Sequence, residues 1–273
     1  MSLPAPVALK DAATRLKKQA KVLESLAKAA EPPTPARLDA GLAALDKIGR
    51  VDVARLHADI AAWLVDERAG RRERLSADLR AGSDAAGIEL LVITRDPLEL
   101  RLPPIGVRVD VEAGKSVLTF GREEVATADA SAAGILAART AAVAALEGKG
   151  WDAAALHLRL RRAWSRAAAE PGAWAEIAEI LPELAFLSQP KAFRADPSPR
   201  RFVPYARAQL CYDLWRLRRD RALTQDGWRL TVAPATGAST KDKSRVFWLE
   251  DDRGVGQYHL TLRFVREDGP RGE

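Results

Sequence analysis

Between positions 204 and 222, aromatic and guanidinium side chains recur at helical spacing. Advancing about 100° per residue, Ala206, Leu210, Leu214 and Leu217 fall in one arc. Tyr205, Tyr212, Trp215, Arg216 and Arg219 fall in another, nearly opposite. Aromatic faces stack on bases, and arginine clasps phosphate and packs over rings. Strands follow this helix, with Lys241, Lys243 and Arg245 in an intervening loop. A helix followed by a cationic hairpin is a layout by which many modules grip a duplex. The expected nucleic-acid contacts are therefore Arg200, Arg201, Tyr205, Tyr212, Arg216, Arg219, Lys241, Lys243 and Arg245. The same two-stripe pattern also suits a helix buried on both sides, with its aromatic stripe packed on the C-terminal strands.

Other reactive groups are scattered. Asp110 and Glu112 share one face of a strand, with Lys115 beyond and Glu99 upstream. Paired carboxylates and a lysine can hold a divalent metal and orient water for phosphodiester hydrolysis. Here Ala113 and Gly114 put a turn between acid and lysine, and a solvated strand face explains the residues as well. His57, His157 and His259 each lack a second histidine three or four residues away, so no metal site is expected. Cys211, the single cysteine, lies on the helix side of Leu210 and Leu214 and reads as a buried, inert thiol. The glycines at 237, 254 and 256 lack the spacing or the following helix of a phosphate cradle and read as hairpin loops. No cofactor is expected. No string diagnostic of nucleases, coiled-coil ATPase accessory subunits or winged-helix regulators is present.

The charge of +6 is confined. Basic and acidic residues cancel over 1–190 and again over 222–273, whereas 191–221 holds nine basic residues against three acidic. Such local asymmetry speaks to a polyanionic partner, although the preference for arginine over lysine also fits coding bias in a GC-rich genome. No stretch approaches the ~20 apolar residues of a membrane span, and the N-terminus does not read as a secretory signal. A bacterial cytoplasmic address follows by default.

These groups must be positioned by elements of several kinds. Leu9, Leu16 and Leu23 fall seven apart within a helix over 7–30, with Ala12, Gln19 and Leu26 in the other seam position. Pro32 and Pro33 break it, and Thr34 can cap a second helix carrying Leu38, Leu42, Leu45 and Ile48. Asp52 can cap a third, running to about Gly82. From Gly87 the apolar residues alternate, with turns at Asp96-Pro97, Pro103-Pro104 and Ala113-Gly114, predicting a three- or four-stranded antiparallel meander. A helix over 129–147, capped by Asp129, follows. Asp152 caps another reaching Ala169, and Pro171 opens a short helix through Leu181. An extended loop is expected over 188–204, and strands over 228–232, 245–249 and 258–264. All but two of the sixteen aromatic residues lie beyond 150, which places a domain boundary near Gly148.

The expected fold is α+β. Residues 1–86 form a helical hairpin or bundle, 87–148 a small antiparallel meander with a covering helix, and 149–273 a basic, aromatic-rich α+β module. The expected function is non-enzymatic association with nucleic-acid backbones. The alternatives are a protein-interaction subunit that pairs or self-associates through residues 7–30 and, more remotely, a metal-dependent nuclease. No membrane partner is expected.

Overall fold

The computed structural model describes residues 6–28, 35–49, 51–148 and 150–267. The Pro32-Pro33 break and the Thr34 cap lie outside them. The chain divides into two compact units, Met1–Arg74 and Leu75–Glu273.

The first unit is helical. α1 (Pro6–Ala27) and α2 (Pro35–Ile48) pair, and α3 (Val53–Ala85) begins in this unit. Gly41 of α2 meets Leu26 of α1 so closely that a Cβ there would sit 2.8 Å from the leucine Cδ1. Gln19 Nε2 of α1 donates to the Gly49 carbonyl, just past the end of α2, at 2.8 Å. Asp52 caps α3 as expected, its Oδ1 accepting from the Arg55 amide at 2.9 Å. Leu16, Leu23, Leu38 and Leu42 nevertheless remain exposed, Leu23 at 55% and Leu42 at 60%.

The second unit holds two antiparallel sheets around one core. Strands β1 (Leu91–Arg95), β2 (Leu98–Leu102), β3 (Ile105–Asp110), β4 (Lys115–Phe120) and β5 (Glu123–Asp129) form a five-stranded meander in sequence order. The expected meander lacked β5, whose Glu-rich start hides its alternation. Leu98, Leu100, Leu102, Ile105, Val107, Val109, Leu118 and Phe120 are buried on one face, in the period-two pattern of a half-covered sheet. α4 (Ala132–Glu147) follows, capped by Ser131, whose Oγ accepts from the Gly134 amide. Asp129 instead ends β5, so the expected cap lies two residues early.

α5 (Ala153–Ala167) is capped by Asp152 as expected. β6 (Ala175–Glu176) then leads into α6 (Ile177–Leu187), which begins six residues later than Pro171 and contains Pro182. The stretch 188–204 is not wholly extended. It carries α7 (Lys191–Ala195) and a single 3-10 turn, Pro199–Arg201. α8 (Arg207–Arg219) precedes β7 (Thr224–Gln225), β8 (Trp228–Pro234), β9 (Phe247–Glu250) and β10 (Gly256–Arg266). β10 pairs with β8 on one edge and with β9 and then β6 on the other, making five strands where three were expected. The two sheets stay separate, but a single cluster of buried residues runs from Leu75 to Phe264. Gly148 therefore divides no cores.

Candidate functional site

α8 is the centre of the second unit rather than its surface. It touches β4 and β5 of the first sheet, β9 of the second, and α4. Every residue from Leu210 to Leu217 is buried. The apolar stripe and the aromatic stripe both find packing partners, and the aromatic one meets the first sheet. Tyr212 and Trp215 set their rings edge-on to Phe120, with centroids at 5.0 and 5.9 Å. The polar tips are satisfied internally. Trp215 Nε1 donates to Asp252 at 2.9 Å, and Tyr205 Oη donates to Asp213 at 2.7 Å. Burial, with the Asp213 carboxylate alongside, raises the Tyr205 hydroxyl well above the usual phenol range. Asp213 is itself raised by burial, against the opposing bonds from Tyr205 and Gln209.

Contrary to the expectation of nucleic-acid contacts along this stripe, packing covers Tyr212, Trp215 and Arg216. Tyr212 and Arg216 are sealed, and Tyr205 spends its hydroxyl on Asp213. The Arg216 guanidinium lies 3.7 Å over the Trp151 ring and 5.7 Å from that of Tyr212, and donates to the Glu147 carbonyl at 3.1 Å. A buried charge is tolerable when rings and a carbonyl replace its water. Arg219 is exposed, stacked over Trp215 and bonded to Asp220. Arg201 pairs with Asp196 at 3.2 Å, Arg245 with Glu176, and Lys243 sits 3.9 Å over Tyr258. Arg200 and Lys241 are exposed, and no carboxylate partners them among the described residues. The nine residues thus do not converge on one surface of matching stacking faces and cations.

The proposed metal arrangement is likewise taken up by structure. Asp110 Oδ1 accepts from the amides of Glu112 and Ala113, shaping the β3–β4 turn, and Glu99 bonds Arg108 at 3.1 Å. Among the described residues no three His, Cys, Asp or Glu side chains are grouped to hold a metal ion. His157 and His259 are buried and bonded to the carbonyls of Leu223 and Gln257. Cys211 is buried, and the apolar surroundings push its thiol far above the usual range.

A different place collects charge around a hollow. On the outer face of the first sheet, Arg101 of β2 faces Gly106 of β3, which faces Thr119 of β4. With no side chain at Gly106, a cavity of about 380 Å³ opens there. Arg101 and Glu250 of β9 form an ion pair at 2.7 Å, 7% and 3% exposed, that joins the two sheets. The Arg101 Nε–H, also buried, has no acceptor among the described residues. The 251–255 turn lies over this guanidinium, and a Cβ at Gly254 would collide with it. Asp251 holds that turn by accepting from the amides of Arg253 and Val255, both at 2.9 Å. Arg108, Arg122 and Arg253 also line the hollow, Arg122 stacking 4.6 Å over Trp248. No local pattern reveals it, because its lining comes from all five strands of the first sheet and from the distant β9–β10 hairpin. The visible signals were a glycine inside strand β3 and an arginine among leucines in β2.

Comparison with protein-family models, with curated proteins and with solved structures finds no match for this chain.

Proposed function

We propose that the chain is an interaction protein whose N-terminal hairpin associates with a second copy of itself. The observation that carries this reading is the exposure of Leu16, Leu23, Leu38 and Leu42 on two helices that already pair along another side. Leu9, Leu26, Leu45, Ile48 and Ile60 are only half-buried. Helices draw most of their stability from packing an apolar face, and two hairpins joined as four helices supply that packing. The seven-residue spacing of Leu9, Leu16 and Leu23 suits such a seam.

The test is the solution mass of the full chain at ~100 μM, beside a Leu16→Asp, Leu23→Asp double variant. Both sites are exposed, so the single chain tolerates the change. The expected result is a dimer or larger that becomes a monomer in the variant. A monomeric parent overturns the reading.

A second reading keeps the polyanion partner. It rests on the cations of the 191–221 stretch that stay exposed with neither a side-chain hydrogen bond nor a carboxylate partner among the described residues, namely Lys191, Arg200, Arg218 and Arg221; Arg194, also exposed, is held by the carbonyls of Leu187 and Gln189. In that form the contact is to phosphates alone, without base stacking.

A further inference from the structure

We infer that the hollow between Arg101 and Thr119 is a binding site for a small organic oxyanion, a carboxylate or phosphate group carried on an apolar body. This is independent of self-association by the N-terminal hairpin.

Four guanidiniums line the hollow. Two of them are engaged with carboxylates, Arg101 with Glu250 and Arg108 with Glu99. Arg122 and Arg253 have no carboxylate partner among the described residues, and both are exposed enough to reach an incoming anion. The buried pair supplies a fixed floor. Glu250 takes one edge of the Arg101 fork and leaves Nε–H, a donor in that same plane, without an acceptor. Guanidinium forks match the geometry of carboxylate and phosphate oxygens. An anion seated beside this floor would neutralise the two free cations, Arg122 and Arg253.

The rest of the lining limits the body of the ligand. Ile93, Val117 and the Trp248 ring give it an apolar wall. Glu124, across Thr119 in the strand register, repels a second anionic group. The volume lies within the range of pockets that enclose small organic molecules. One charged head and an uncharged, partly apolar body therefore fit the lining, and a polyphosphate does not.

Calorimetric titration of the full chain with inorganic phosphate, phenyl phosphate and benzoate tests this. At least one ring-bearing probe is expected to bind saturably with one site per chain and more tightly than inorganic phosphate. Whether phenyl phosphate or benzoate binds better identifies the head group. Arg122→Ala and Arg253→Ala, at exposed positions, should each weaken binding about tenfold, the loss typical of a charge-assisted hydrogen bond. No saturable binding up to ~10 mM, binding indifferent to both Arg122→Ala and Arg253→Ala, or inorganic phosphate binding as tightly as the ring-bearing probes would each overturn the inference.

Discussion

At the scale of single residues, burial sets how the second unit responds to acid. His157 and His259 have their pKa values lowered, chiefly because burial disfavours the charged ring. An unfolded histidine takes its proton near the ordinary value of 6.5, while these two stay neutral to lower pH. Between those values the unfolded chain binds more protons, so stability rises with pH. The contribution is fully present above the unfolded pKa and is lost progressively as pH falls through about 6.5 towards the depressed folded values. The denaturation midpoint in guanidinium should therefore fall between pH ~7.5 and ~5.5. Replacing His157 by Gln, which cannot titrate, should reduce that fall. An equal fall in the variant would place the acid sensitivity elsewhere. Burial was half legible here. Leu156 and Leu160, on either side of His157 along α5, announced an apolar face, but the ring's T-shaped packing on Phe264, 5.0 Å away, is a long-range contact that no local pattern carries.

At the scale of elements, α8 shows how a sequence pattern and its use diverge. The two stripes were plain in the spacing of Leu210, Leu214 and Leu217 against Tyr205, Tyr212 and Trp215. Their meaning depended on whether one neighbour or two covers the helix. Phe120 decides it, because this residue closes β4 on the core face and meets both Tyr212 and Trp215. It lies far from α8 in sequence, so periodicity alone left both readings open. The strands and turns of the first sheet were legible because alternation and proline punctuation are local, and β5 was missed because Glu123 and Glu124 mask its alternation. The packing also separates two arginines that look equivalent in sequence. Arg216 is buried over Trp151 and holds the Glu147 carbonyl, so Arg216→Ala should cost about 2–3 kcal/mol, the penalty for leaving such groups unpaired and a ring face uncovered. Arg219 is exposed, and Arg219→Ala should fall within about 0.5 kcal/mol of the parent. Denaturant titration of both variants measures the difference, and equal midpoints would contradict the buried role of Arg216.

For the whole molecule, the two proposed modes of association respond to salt with opposite signs. α1 carries five basic and two acidic residues, so pairing copies of the hairpin brings like charges together. Apolar burial by Leu16, Leu23, Leu38 and Leu42 drives the pairing, and charge opposes it. Raising salt from ~50 to ~500 mM shortens the screening length from beyond 10 Å to a few ångströms. Self-association should then strengthen, read as a lower dilution midpoint in sedimentation equilibrium. Phosphate-backbone binding through Lys191, Arg200, Arg218 and Arg221 runs the other way. Each phosphate neutralised releases condensed counterion, and affinity falls with a log–log slope of about −0.9 per contact on duplex DNA. Four exposed cations limit that slope to roughly −4 by the same relation, and charge reversal at Arg218 and Arg221 should flatten it by about half. A dimer that dissociates as salt rises would mean that ion pairs, rather than leucines, hold the copies together, and the hairpin reading would fall with it.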